Sequence, residues 1–92
     1  MIRSFRCRET RAIFEGEHSR KFHNIAHTAE KRLNLLYTVA SLDDLAKYPG
    51  NQLEKLKKDR SGQHSIRIND QYRICFTWRD GEAHDVEIVD YH

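Results

Sequence analysis

The sequence lacks any apolar run approaching the roughly 20 residues that a membrane-spanning helix needs. Its first 14 residues carry four arginines and no apolar core of a signal peptide. The two cysteines, Cys7 and Cys75, are far apart and form no CxxC pair, which argues against a disulfide framework and fits a reducing compartment. One proline and four glycines are too few for a disordered or low-complexity chain. These absences predict one folded domain over residues 1–92, located in the cytoplasm.

Strong charge of one sign is also missing, since 16 basic residues face 14 acidic ones and the net charge is only +2. The basic residues are nevertheless clustered between residues 55 and 73, where two acidic residues accompany them. Such a local cationic surface attracts phosphate groups, although a solvated basic face fits the same pattern. The basic members of this segment are Lys55, Lys57, Lys58, Arg60, Arg67 and Arg73.

Several common catalytic motifs are absent. His23 and His27 have the four-residue spacing of a zinc site, but the sequence offers no third ligand and no HExxH motif. A glycine-rich phosphate loop and a Ser-His-Asp or Cys-His arrangement are missing as well. We therefore expect neither a metal ion nor a cofactor.

The first half of the chain has a helical pattern. Residues 2–5 resemble a short opening strand, and a short helix is expected before Gly16. Asn24 is a suitable N-cap for a longer helix, because an apolar stripe at spacings of three and four follows it. That stripe consists of Ile25, Ala29, Leu33, Leu36 and Ala40.

The second half alternates polar and apolar residues with a period of two, which predicts strands with one buried face. A three-residue loop over 69–71 places Ile66 opposite Ile74, and Arg67 opposite Arg73. A two-residue turn would set Arg73 opposite an apolar residue and mix the two faces, so it is disfavoured. The pattern thus predicts helices in the first half of the chain and strands in the second.

The next turn is expected to be a three-residue loop over 80–82, in which Gly81 supplies a positive φ. This register sets Arg73 beside Tyr91 and gathers Arg67, Arg73 and Tyr91 on one exposed face of the sheet. The apolar pairs that result are Phe76 with Val86 and Ile74 with Ile88.

Two arginines that face each other across a sheet repel one another. The Arg67–Arg73 pair therefore indicates an anionic guest such as a phosphate, which two guanidiniums can clamp. The alternative is that nearby acidic residues, such as Asp85 and Glu87, neutralise both charges. His64 begins a strand beside the basic segment and is a further candidate to face such a guest.

The last three residues combine an acid, a phenol and an imidazole. RNA cleavage needs a base for the 2′-OH proton, an acid for the leaving 5′ oxygen, and cations that stabilise the phosphorane. His92 suits acid or base work at neutral pH, Tyr91 can stack on a base, and Asp90 can orient the imidazole. Strict alternation turns Asp90 and His92 away from Tyr91 unless the strand twists, bulges or ends. The other interpretation is that these three residues occur at the end of the chain by chance and have no catalytic role.

Four segments together resemble the RelE/ParE superfamily of toxins, and specifically its HigB-like branch, which includes the plasmid-maintenance killer proteins and the GraT subgroup. The segment HSIRINDQYRICF and the final DYH are the most specific of them. The resemblance implies a RelE-like α+β fold with two N-terminal helices packed on a small, mostly antiparallel twisted sheet. The matching segments are MIRSF, LKKDRSGQHSIR, NDQYRICF and VEIVDYH, at residues 1–5, 56–67, 69–76 and 86–92.

The resemblance also implies the toxin of a type II toxin–antitoxin system, a metal-independent endoribonuclease that cleaves mRNA in the A site of the 30S subunit of the 70S ribosome and arrests growth. A HigA-like helix-turn-helix antitoxin would neutralise it in a heterotetramer that binds operator DNA. The catalytic residues carried over by position are Arg73, Asp90, Tyr91, His92 and Lys57. Candidates for RNA and phosphate binding are Arg67, Lys55, Lys58, Arg60 and His64. Those for ribosome binding are Arg20, Lys21, Lys31 and Arg32.

One position departs from the family pattern. Some HigB relatives carry a histidine where this chain has Glu54, so the acid and base roles of Glu54, Asp90 and His92 stay open. Two other functions also fit the fold. A ParE-like inhibitor of DNA gyrase would not need the final Asp-Tyr-His and the arginine pair, and an inactive RNA-binding or ribosome-binding module would leave mRNA intact.

Overall fold

The computed structural model describes residues 1–91, and His92 lies outside them. Three helices come first: α1 (Arg8–Phe14), α2 (Ala26–Thr38) and α3 (Leu42–Ala46). Four strands follow: β1 (Glu54–Lys55), β2 (Gln63–Arg67), β3 (Tyr72–Arg79) and β4 (Glu82–Asp90). Short 3₁₀ turns at Pro49–Asn51 and Lys58–Arg60 connect them. The predicted succession of helices and then strands is confirmed. β1 was not predicted, and residues 2–5, expected to be a strand, make two isolated bridges instead.

The four strands form one sheet in the order β1-β2-β3-β4, with every neighbouring pair antiparallel. The opening segment runs parallel to β4 through bridges from Ile2 to Ala83 and from Phe5 to Val86. This pairing covers part of the edge that β4 would otherwise expose, and it confirms the mostly antiparallel α+β fold. Among residues 1–91, no helix is long and apolar enough to cross a membrane.

The core lies between the helices and one face of the sheet. Ala29, Leu33 and Leu36 of α2 are fully buried there, and full burial of a Leu or Ile side chain contributes about 1.5–3 kcal/mol. The predicted N-cap Asn24 is wrong, because Ile25 holds that position and no side chain caps the helix. Packing of the apolar stripe thus stabilises α2 without a cap. The partners from the sheet are Ile66, Ile74, Phe76, Val86 and Ile88.

The hairpin between β2 and β3 has the predicted register, since Ile66 pairs with Ile74 and Arg67 with Arg73. Asn69 closes the loop with its side chain. Its Oδ1 accepts hydrogen bonds from the backbone N–H groups of Gln71 at 2.9 Å and Tyr72 at 2.8 Å. An asparagine that bonds the backbone two residues on is a turn-forming device, so this loop length follows from local sequence.

The hairpin between β3 and β4 corrects the second predicted loop. Arg79 pairs directly with Glu82, so the turn has two residues, Asp80 and Gly81, both with positive φ. The register then shifts by one residue between Cys75 and Thr77, where Asp85 has a φ of 53°. This β-bulge replaces the predicted Phe76–Val86 pair. It also restores the predicted register beyond it, in which Ile74 pairs with Ile88 and Arg73 with Val89.

Candidate active site

The candidate site lies on the sheet face that points away from the helices. One row of paired residues crosses all four strands there: Glu54, Ser65, Cys75 and Glu87. Ser65 and Cys75 are 0% exposed although they face away from the core. Longer polar side chains around the row therefore cover them. Burial raises the pKa of the Cys75 thiol above its usual value, which keeps it neutral.

Arg73 is the centre of this cover. Its Nε donates a hydrogen bond to Ser65 Oγ at 2.8 Å, and its Nη2 donates to the carbonyl oxygen of Gln52 and, at 3.4 Å, to that of Ser65. The residue is only 7% exposed. The sequence predicted an exposed guanidinium, and this part of the prediction is wrong, because acceptors from two other segments fix it against the sheet.

The Gln52 carbonyl is placed by the 3₁₀ turn that precedes it. Asn51 is fully buried and its Nδ2 donates to the carbonyl oxygen of Leu45 at 3.1 Å, which ties the turn to α3. Gln52 then takes a left-handed conformation with a φ of 42°, which is uncommon for a residue with a side chain. The turn thus supplies an acceptor for Arg73 that the alternation of polar and apolar residues could not reveal.

Glu54 lies beside the third nitrogen of the guanidinium. Arg73 Nη1 is 3.9 Å from Glu54 Oε1, which is an ion pair but longer than a hydrogen bond. Among residues 1–91 Nη1 makes no hydrogen bond, while the Glu54 side chain is 54% exposed. The site therefore offers a fixed cation with a donor group next to an accessible carboxylate.

Tyr91 covers the guanidinium from the other side. The Cζ atom of Arg73 is 5.9 Å from the centre of the Tyr91 ring, a cation–π distance. The backbone N–H of Tyr91 donates to the carbonyl oxygen of Gln71 at 2.7 Å, while the residue stays 43% exposed. Burial of the phenol and the neighbouring Cys75 raise the pKa of Tyr91, so the hydroxyl is a proton donor in hydrogen bonds and not a base at neutral pH.

The structure does not bring Asp90 into this group. Asp90 pairs with Tyr72 in the strand register, which turns it to the face opposite Arg73. Its Oδ2 accepts a hydrogen bond from Gln71 Nε2 at 3.1 Å. The β4 strand continues through Asp90, so the alternation expected from the sequence holds up to this residue. His92 lies outside the described residues.

Each arginine of the predicted phosphate clamp has its own carboxylate, as in the alternative that the sequence left open. Arg67 binds Asp70 in the β2–β3 loop, while Arg73 faces Glu54. The acidic neighbours named from the sequence, Asp85 and Glu87, bind neither of them. Since the Asp70 side chain is fully exposed to solvent, its pair with Arg67 contributes little to stability.

Lys55 and Lys58, predicted to bind RNA, and Lys57, predicted to be catalytic, are exposed. Arg60 is bound internally to Gln63 and Glu87. Three of the residues predicted to bind the ribosome are exposed, namely Arg20, Lys21 and Lys31, whereas Arg32 is half-buried with its Nη2 3.5 Å from the carbonyl oxygen of Gly50. Among residues 1–91, no three His, Cys, Asp or Glu side chains form a group that could hold a metal ion.

His64 lies on the core side of the sheet and does not face the site. Its ring stacks on Phe76 with 6.2 Å between ring centres, and Lys55 is its cross-strand partner. Burial, together with the Lys55 charge, lowers the pKa of His64 from its usual 6.5. The imidazole is therefore neutral at physiological pH, and the predicted contact with RNA has no support from its position.

This burial predicts a pH-dependent stability. The unfolded chain binds a proton at His64 more readily than the folded chain, so the free energy of unfolding should fall as the pH drops below about 6.5. Chemical denaturation at pH 7.5 and pH 5.5 should show a smaller loss of stability for His64→Gln than for the wild type. Substitution of the exposed His18 by Gln is the control, and equal losses in all three proteins would refute the assignment.

Comparison with known proteins places the chain in a family. Residues 3–92 match the RelE-like toxins of the type II toxin–antitoxin system HigB. "Endoribonuclease HigB" from Proteus vulgaris is 30% identical over 93 residues and is matched over the whole length of both chains. "Toxin HigB-1" from Vibrio cholerae is 38% identical over 60 residues, which are 65% of this chain and 63% of that protein.

Solved structures show the same fold at low sequence identity. The YoeB–YefM toxin–antitoxin complex from Staphylococcus aureus includes a chain with a TM-score of 0.58 and 20% identity, which covers 100% of this chain and 98% of its own length. The YoeB/ParE toxin from Agrobacterium tumefaciens gives a TM-score of 0.51 at 16% identity, over 96% and 99% of the two chains. These structures confirm the fold, the family match confirms the resemblance inferred from the sequence, and the protein belongs to the HigB family of RelE-like toxins.

Proposed function

We propose that this protein is an endoribonuclease that cleaves messenger RNA on the ribosome and so stops translation and growth. The observation that carries the proposal is the Arg73 guanidinium, which Ser65 and Gln52 fix while Nη1 lies beside the accessible Glu54 carboxylate. A cation held in place beforehand stabilises developing negative charge without further reorganisation. The whole-length similarity to a protein named endoribonuclease supports the same conclusion.

The reaction needs two proton transfers and one group that stabilises charge. The 2′ oxygen of the substrate attacks the phosphorus and loses its proton to a base, while the bond to the 5′ oxygen breaks and that oxygen takes a proton from an acid. Glu54 is our candidate for the base, because it lies next to the arginine, and His92 is our candidate for the acid. Arg73 and Lys57 supply positive charge to the phosphorane in place of a metal ion.

Tyr91 and Asp90 have supporting roles in this proposal. The exposed ring of Tyr91 can stack on a base of the RNA while its inner face stays against Arg73. Asp90 fixes the end of β4 through Gln71, which keeps Tyr91 in register. Proton transfer by Asp90 is not part of the proposal, because Asp90 faces the other side of the sheet.

The partners are proposed from the family and from the exposed charges. Basic residues at the rim, including Lys55, Lys58, Arg20, Lys21 and Lys31, would contact ribosomal RNA in the cytoplasm. A helix-turn-helix antitoxin would neutralise the toxin and form a heterotetramer that binds operator DNA. The structural relative from S. aureus is itself part of a heterotetrameric complex with its antitoxin.

The deciding experiment maps the 5′ ends of cellular mRNA after brief induction, alongside cleavage of a defined mRNA by the purified protein with and without 70S ribosomes. We expect new ends in phase with codons, and cleavage that needs the ribosome. The Arg73→Ala variant is the matched control and should give no new ends. Broken chromosomes with intact mRNA would instead indicate a gyrase inhibitor, and ribosome binding with intact mRNA would indicate an inactive binding module.

A further inference from the structure

The Arg60 side chain crosses the outer face of the sheet. Arg60 belongs to the loop between β1 and β2, yet its Nη1 donates hydrogen bonds to Gln63 Oε1 at 3.1 Å and to Glu87 Oε1 on β4 at 3.0 Å. Residue 87 is paired with Cys75 on β3, so the arginine passes over two strands to reach its partner. This side chain is one reason that Cys75 is fully buried.

The Arg60–Glu87 pair is partly withdrawn from water. The side chain of Arg60 is 34% exposed and that of Glu87 is 17% exposed, and the Arg6 guanidinium lies 3.8 Å from the same Glu87 oxygen. The hydrogen bond from Arg60 to Glu87 raises the pKa of Arg60. Ion pairs with this geometry and burial hold their partners in place better than fully exposed ones do.

The loop that carries Arg60 also carries Lys57 and Lys58, two cations assigned to RNA. It turns through backbone hydrogen bonds from Arg60 to Lys57 at 3.2 Å and from Ser61 to Lys58 at 3.0 Å. Lys58 has a φ of 56°, a left-handed conformation that is strained for lysine. A strained loop needs an external tie to keep its shape, and the bond from Arg60 to Glu87 provides one.

We propose that Glu87 is a positioning residue for RNA cleavage, which holds Arg60 and through it the loop of residues 57–61 against the catalytic face. Glu87 itself does not touch the RNA. The inference rests on the proposed ribonuclease function, since it assigns Glu87 a part in placing Lys57, a proposed catalytic residue. Release of this tie should misplace Lys57 without removing any charge that contacts the substrate.

The first test measures loop order without RNA. Trypsin should cut the folded Glu87→Ala variant after Lys57, Lys58 or Arg60 at least several times faster than it cuts the wild type, with the sites identified by mass spectrometry. Glu87→Gln, which keeps an acceptor for Arg60, should lie between the two. Glu82→Ala is the matched control, because Glu82 is on the same strand and pairs with Arg3 at the far end. Unchanged cleavage of Glu87→Ala would overturn the proposal.

The second test measures coupling to catalysis. Glu87→Ala should lower kcat/KM for mRNA on the ribosome by about tenfold, since small misplacements of catalytic groups are costly. Lys57→Ala should then cost clearly less in the Glu87→Ala background than in the wild type, because Lys57 is already out of place. If Glu87 had only a structural role, Glu87→Ala would lower stability, and the losses of kcat/KM from Glu87→Ala and Lys57→Ala would multiply in the double variant. That result would overturn the positioning role even if trypsin cut the loop faster.

The two tests separate this inference from the proposed function. A wild-type protein that cleaves no RNA contradicts the ribonuclease function, and with it the catalytic part of the inference. Faster cutting of the loop by trypsin would still establish the Glu87 tie in that case. A wild type that cleaves RNA with Glu87→Ala equally active would contradict only the role assigned to Glu87.

Discussion

Replacement of Arg73 by alanine is expected to lower kcat/KM for ribosome-dependent mRNA cleavage by about 10²–10³-fold, which is the usual cost of removing one preorganised stabiliser of negative charge. Arg73→Lys should fail to restore activity. A lysine has no planar fork, so it cannot bond Ser65 and Gln52 and still direct a donor toward the substrate. The measurement is single-turnover cleavage of a defined mRNA on saturating ribosomes.

The same change should also reduce stability. Without the guanidinium, Ser65 Oγ and the Gln52 carbonyl lose their partner, and a buried polar group without a hydrogen bond costs about 1–3 kcal/mol. Urea denaturation must therefore accompany the kinetics. Arg79→Ala is the control, because Arg79 is exposed at the far end of the same strand. Activity of Arg73→Ala within twofold of the wild type would show that the phosphate is held elsewhere.

The placement of Arg73 marks how far the sequence could predict the site. Alternation with a period of two placed Arg67, Arg73 and Tyr91 on one face of the sheet, and the strand pairing confirms that face. The exposure of Arg73 was wrong because its acceptor on Gln52 comes from a turn 21 residues earlier in the chain. The alternation of residues within a strand cannot predict which groups from a distant turn pack over that strand.

The two hairpins show the same limit at the level of the fold. The first loop could be predicted, because Asn69 closes it with its own side chain. In the second hairpin, Asp80-Gly81 is itself a signal for a two-residue turn, whereas pairing of the apolar residues favours a three-residue loop. The bulge at Asp85 allows the two-residue turn and still pairs Ile74 with Ile88, and the Asp85 backbone N–H donates to Ser4 Oγ at 2.9 Å. That contact comes from the opening segment and is not visible in the hairpin's own sequence.

Variants of Tyr91 and His92 should distinguish substrate positioning from proton transfer. Tyr91→Ala is expected to raise KM or lower kcat/KM by about 5–150-fold, which corresponds to the 1–3 kcal/mol of one base stacked on an aromatic ring. Tyr91→Phe should keep most activity, since the ring that stacks on RNA and on Arg73 is retained. Tyr37→Ala is the matched control, because Tyr37 is also 43% exposed but lies on α2.

His92→Ala should act on a different kinetic parameter, with kcat lowered by about 10²–10⁴-fold, the usual contribution of a general acid or base. An acid at this position protonates the 5′ oxygen as its bond to phosphorus breaks, so its loss should slow the chemical step and not binding. A substrate with a 5′-thio leaving group, which needs no acid, should be cut almost equally well by the wild type and His92→Ala. If His92→Ala cut that substrate as poorly as it cuts the normal one, His92 would act in RNA binding and not in proton transfer.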